Sequence, residues 1–135
     1  MNTFELHKRL AADCHLVTEL KISTVLLMDD SRYPWLVLVP RRPGLRELHQ
    51  IKPAEQATVF TEISRTSTTL ENLYNPLKIN VAALGNQVPQ LHIHVIARFA
   101  EDTAWPGPVW GVGVAEPYRD DELSQTIHNL QAHLS

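Results

Sequence analysis

Apolar and polar positions change rhythm several times along this chain, and each change predicts an element. Leu6, Leu10, Cys14 and Val17 recur at helical spacing behind Thr3, a residue able to cap, which predicts a helix from Thr3 to about Leu20. Thr24-Val25-Leu26-Leu27-Met28 is too short and too branched for a helix and predicts a buried strand. Turn-forming residues from Asp29 to Pro34 separate it from a second strand, Trp35 to Val39, so the two form a hairpin with a longer loop. Pro40 to Pro53, basic and rich in proline, reads as a connecting loop. A long helix follows from Pro53, placed in its first turn, to about Tyr74. Its apolar stripe is Ala57, Phe60, Ile63, Leu70 and Tyr74, with Ser67 filling one gap.

Asn75-Pro76 ends that helix, because the residue before a proline is pushed out of helical geometry. Leu77, Ile79, Val81 and Ala83 then alternate with Lys78, Asn80 and Ala82 as a half-buried strand. Gly85-Asn86 makes a turn, and a further strand runs from Gln90 to Ala97. Prolines and glycines exclude regular structure from Trp105 to Gly111. Asp120 or Asp121 caps a last helix carrying Leu123, Ile127, Leu130 and Leu134 on one side. Strands separated by helices in this order predict an antiparallel sheet with helices packed on it, an α+β domain.

Composition narrows the functional classes. With 135 residues, 44% of them apolar and 20% charged, the chain can bury a real core, and disorder is excluded. No apolar run approaches the roughly 20 residues of a membrane-spanning helix. The start, Met1-Asn2-Thr3-Phe4-Glu5, has neither the basic nor the apolar region of a secretory signal, and Cys14 is the single cysteine, so a cytoplasmic location is expected. A net charge of −3 offers no basic surface for a nucleic acid and favours a small ligand.

The chemistry concentrates in Gln90-Leu91-His92-Ile93-His94-Val95-Ile96. On a strand, Gln90, His92, His94 and Ile96 share one side while Leu91, Ile93, Val95 and Ala97 face the core. The two imidazoles are about 6.6 Å apart along the backbone. Histidine suits attack on phosphorus, since one ring nitrogen offers a lone pair while the other's proton can be anchored on a carbonyl. The phosphorylated ring is then a good leaving group, and a neighbouring protonated imidazole can stabilise phosphate charge. Two other readings fit the residues: hydrogen-bonded strand histidines without chemistry, and a zinc site completed by a distant ligand such as His49 or His128.

This segment resembles the signature of the histidine-triad (HIT) family, His-φ-His-φ-His-φ-φ with φ apolar. The resemblance extends over roughly residues 20 to 110. Leu36-Val37-Leu38-Val39-Pro40-Arg41 is similar to the family's second central strand, the long helix and following strand occur in family order, and Trp105-Pro106-Gly107-Pro108 resembles the Trp-Pro element after the motif. The resemblance implies a HIT-like α+β fold over residues 1–135, with a sheet of about five strands, a motif-bearing core at about 20–110 and a C-terminal helix at about 120–134. It implies a homodimer and a nucleotide hydrolase or nucleotidyl transferase that cleaves a dinucleoside polyphosphate or nucleoside phosphoramidate. His92 corresponds to the nucleophile and His94 to the last triad histidine, while Gln90 stands at the first. Glutamine hydrogen-bonds but carries no proton near neutral pH, so substrates with good leaving groups, or slow turnover, are expected.

By the same resemblance Asp29 holds the ribose hydroxyls, Asn80 contacts the phosphates, and Asn86 and Gln87 donate to the α-phosphate. Asp29 is also readable as a turn residue, Asn80 as a strand-edge residue and Gly85-Asn86 as turn chemistry alone. Arg41 and Arg42 read as a solvated loop, and His7, His15, His49 and His128 as surface residues. Trp105 and Trp110 either wall the pocket or pack at a dimer interface. No metal or other cofactor is required, magnesium being an accompaniment of a polyphosphate substrate. Loss of the first histidine also leaves open a domain that only binds nucleotides.

Overall fold

The computed structural model describes residues 3–134. Its centre is a five-stranded sheet, antiparallel at every pairing, built from β1 (Cys14–Glu19), β2 (Ser23–Met28), β3 (Trp35–Pro40), β4 (Lys78–Ala82) and β5 (Ile93–Arg98) in the spatial order β1-β2-β3-β5-β4. Among the described residues three α-helices complete it, α1 (Lys8–Asp13), α2 (Pro53–Tyr74) and α3 (Asp120–Leu134), with a single 3-10 turn at Leu48–Gln50. The α+β architecture and the strand number match the expectation from sequence. Both faces of the sheet are covered. On one, Val25, Leu27, Leu36, Leu38, Ile93 and Val95 pack with Val59 and Leu70 of α2 and Leu130 and Leu134 of α3. On the other, Leu26, Trp35, Val37 and Ile96 pack with Leu10 of α1 and with Val88 and Val109 from loops. None of the helices among the described residues is long and apolar enough to cross a membrane.

The first expected helix is mostly a strand. Only Lys8–Asp13 is helical, capped by the His7 ring, which accepts from the Arg9 N–H at 3.0 Å, rather than by Thr3. From Cys14 the chain pairs with β2, with a register shift between Leu16 and Thr18. Cys14 is buried on one face of the sheet and Val17 on the other. A three-residue step on a strand lands on the opposite face, so a strand buried on both sides reproduced the helical spacing.

The long helix has the expected bounds, and of its expected stripe Leu70 is buried while Ile63 and Tyr74 pack against the core, but Val59, Glu62, Thr66 and Thr69 are buried as well. Glu62 lies inside because its carboxylate accepts the N–H groups of Ile22 and Ser23 at 2.8 and 3.0 Å, which satisfies the backbone where β2 begins. Phe60, expected in the core, is 68% exposed. Asn75 ends the helix in the left-handed conformation at φ 49°. Arg41 and Arg42 are tied down rather than solvated: Arg41 donates to the carbonyls of Leu20 and Lys21, and Arg42 pairs with Glu55.

Candidate active site

β5 starts three residues later than the alternation suggested. The β3 ladder reaches it at Leu38 opposite Ile93 and then ends, and the Leu91 N–H donates to the Leu45 carbonyl in the connecting loop at 2.9 Å. Gln90, at a bend, Leu91 and His92 therefore form an irregular lead-in to the strand. The alternation itself holds: Leu91, Ile93, Val95 and Ala97 enter the helix-covered core, while His92 and His94 sit on the opposite face with ring centroids 4.9 Å apart. That face is covered too, leaving His92 7% and His94 4% exposed.

Each ring is fixed by a different partner. His92 Nδ1 lies 2.8 Å from the Gln90 carbonyl oxygen. A carbonyl only accepts, so Nδ1 carries the proton and Nε2 keeps its lone pair. His94 Nδ1 lies 2.9 Å from Trp35 Nε1. Indole only donates, so His94 Nδ1 accepts and its Nε2 carries the proton. Burial, reinforced by the neighbouring His92, pushes His94 down to about 3. His94 is thus a neutral N–H donor at physiological pH, not the protonated imidazole considered from sequence.

This depression has a measurable consequence. An unfolded histidine titrates near 6.5, whereas folded His94 stays neutral to about 3. Between those values the unfolded chain takes up a proton that the native ring refuses, so stability falls as pH is lowered through this window. The slope from one such group is at most about 1.4 kcal/mol per pH unit. Denaturant unfolding at pH 7 and pH 5 should show a larger loss for the wild type than for His94→Gln; equal losses would contradict it.

Around the two rings lies a cleft of about 390 Å³ lined by Trp35, Asn86, Gln87, Trp110, Arg9 and Asp13, among others. Asn86 and Gln87 are where the sequence put them, beside His92, in a turn allowed by Gly85 at φ 70°. Trp110 stands edge-on to His94 with centroids 5.0 Å apart, which assigns this tryptophan to the wall. Trp105 turns away, under the Arg98 guanidinium at 5.7 Å.

Three expected residues point elsewhere. Asp29 is outside the cleft lining; its carboxylate faces His15 Nε2 at 3.2 Å and accepts the Tyr118 N–H at 3.0 Å. Asn80 accepts from Arg98 Nη1 at 2.8 Å. Gln90 spends its amide on the N-terminal segment, accepting from the His7 N–H and donating to the Glu5 carbonyl, both at 2.8 Å. Sequence reasoning missed Trp35, Arg9 and Asp13. For Trp35 a signal existed, since it lies on the face shared with Val37, which pairs with His94, one diagonal step away. Arg9 and Asp13 gave none. Cys14 is no nucleophile, as burial raises its thiol to about 12.

A covered five-stranded antiparallel sheet presenting two differently anchored imidazoles to a polar turn defines a class: an α+β domain with a candidate histidine-based site. The HIT domain family matches residues 9–101, and the chain belongs to that family. It is similar over nearly its whole length to three crystal structures of histidine triad proteins. That from Bradyrhizobium japonicum is 43% identical with a TM-score of 0.97, covering 99% of this chain and 100% of the other. The Marinobacter aquaeolei protein is 44% identical at a TM-score of 0.96, with 98% and 97% covered. The Sinorhizobium meliloti protein is 41% identical at 0.95, with 98% of each covered. None of the curated proteins matches.

Proposed function

We propose that the protein is a nucleotide hydrolase or nucleotidyl transferase that works through a covalent nucleotidyl-histidine at His92. HIT proteins are generally nucleotide-binding hydrolases and transferases. The observation that carries the reading for this chain is the tautomer of His92: with Nδ1–H held by the Gln90 carbonyl, the lone pair on Nε2 is the reactive one. His92 Nε2 attacks the α-phosphorus, and the bond to the leaving group breaks with its electron pair on the departing atom. Water then cleaves the phosphorus–nitrogen bond. His94 Nε2–H and the amides of Asn86 and Gln87 donate to the phosphate oxygens, so charge developing in the transition state meets oriented dipoles. Every donor in this scheme comes from the chain itself.

Gln90 stands where the family signature has its first histidine, and with both amide ends engaged it offers no proton to a leaving group. Reaction is therefore favoured where the leaving group departs without protonation. Rapid acid-free quench of the protein with labelled nucleoside polyphosphate, followed by mass spectrometry, should find the nucleotidyl group on His92. Turnover without any adduct would reject the mechanism, and binding without turnover would favour a purely nucleotide-binding module. Among the described residues no group of three His, Cys, Asp or Glu side chains is placed to hold a metal ion.

A homodimer belongs to the same proposal. Phe60 is 68% exposed on α2 and Val81 48% exposed on the edge strand β4, and with Ile63 they line one apolar groove. Such a face beside an unpaired strand edge suits a second copy related by twofold symmetry. Phe60→Glu should yield monomers by light scattering with the fold retained; an unchanged mass would place the interface elsewhere.

A further inference from the structure

Gln90 ties the nucleophile to a segment far away in sequence. Its backbone carbonyl orients His92, while its side chain holds the backbone of Glu5 and His7. Directly after His7 comes α1, a helix of six residues. One so short has no stability of its own, so its position is set by its surroundings: this tie, Leu10 with Phe4 and Leu6 packed on the sheet, the Asp29 N–H donating to the Asp13 carbonyl at 3.0 Å, and β1, which begins at Cys14. The tie matters because α1 is a wall of the site. Arg9, Leu10 and Asp13 line the cleft with His92 and His94, and across Gln87 a second recess is lined by His7, Lys8 and Arg9. Arg9 is held by Nε on Asp13 Oδ2 at 3.2 Å, which leaves both terminal amino groups of its guanidinium without a partner among the described residues. Arg9, with Asp13 on its Nε, thus stands in the cleft beside the turn proposed to hold the α-phosphate, and Lys8 in the adjoining recess.

We propose that residues 3–13 form a specificity arm, clamped by the Gln90 side chain, in which Arg9 and Lys8 make a subsite for an anionic leaving group such as a further phosphate. This rests on the nucleotidyl-transfer reading above and adds the class of leaving group to it. The chemistry is consistent. When His92 Nε2 bonds to the α-phosphorus, a departing phosphate keeps the electron pair on its oxygen and leaves as an anion, so cations rather than a proton donor are required. An amine would need a proton, which neither Gln90 nor neutral His94 supplies.

The test uses the full chain carrying His92→Asn, so that nucleotides bind without turnover, and calorimetry with AMP and ADP. ADP should bind at least about fivefold more tightly than AMP, and adding Lys8→Glu with Arg9→Glu should weaken ADP about tenfold while changing AMP less than about threefold. Separately, Gln90→Ala should speed hydrogen exchange of the backbone in residues 3–13 about tenfold or more and reduce the preference for ADP. AMP binding with no gain for ADP, or equal losses for both on charge reversal, overturns the subsite. Unchanged exchange in Gln90→Ala overturns the clamp. If neither nucleotide binds, the nucleotide reading itself fails, and the subsite with it.

Discussion

Replacing His92 with Asn should lower turnover by roughly a thousandfold or more and abolish the covalent nucleotide, while the melting temperature moves little. Asparagine can still donate to the Gln90 carbonyl from its amide but has no lone pair on nitrogen with which to attack phosphorus. The expected signature is a fall in kcat with nucleotide binding largely kept, because His94, Asn86, Gln87 and the arm remain in place. His94→Asn should cost less, since it removes one donor to the phosphate and not the nucleophile. Steady-state kinetics beside calorimetry on the same preparations separates the two effects. Turnover of His92→Asn at the wild-type rate would end the mechanism.

Arg98→Met should destabilise the protein by about 3–5 kcal/mol, because it leaves a buried carboxylate without its counterion. Arg98 and Asp102 are 1% and 4% exposed, and their side chains meet in a two-bond fork at 2.8 and 3.1 Å. Arg98 also donates to Asn80 and to the Gly107 carbonyl, both at 2.8 Å, and Asp102 accepts the N–H groups of Phe99 and Trp105. Burial works to raise the Asp102 carboxyl, but these hydrogen bonds and the Arg98 charge outweigh it and hold it below its ordinary value. Its contribution is therefore complete above the unfolded value near 3.9 and disappears as acid protonates the native carboxylate. Arg98→Met with Asp102→Leu should recover most of the loss, since no ion then remains buried alone. The network also anchors the loop that leads to Trp110, so the single variant should weaken nucleotide binding as well. Chemical denaturation of the three variants measures the coupling; a loss below about 1 kcal/mol in Arg98→Met would show the pair to be dispensable.

Much of this architecture was legible in the sequence where turn and capping residues bounded an element of one clear period. Pro53 to Tyr74, bounded by a proline at one end and Asn75-Pro76 at the other, formed as expected. The alternation around His92 and His94 correctly separated core-facing from site-facing residues. Legibility failed in two places. Cys14 to Glu19, buried on two sides with a register shift, mimicked a helix, and α2 hid Glu62 and Thr66 inside while leaving Phe60 outside. Polar residues enter a core when they satisfy backbone groups of another element, and no local pattern announces which ones will do so.

By itself the chain determined the order of its elements, the spacing of two imidazoles on one side of a strand, and the polar turn that precedes them, because those follow from backbone periodicity and from residues adjacent in sequence. Only tertiary structure decided what those imidazoles are. The tautomer of His94 is set by Trp35 and that of His92 by a carbonyl whose own side chain grips Glu5 and His7. Asp29 and Asn80 were drawn to other partners, and Arg9 and Asp13 were brought to the cleft from the far end of the chain. Protonation state and substrate contacts depend on groups a few ångströms away in space, and folding brings such groups together across more than eighty residues.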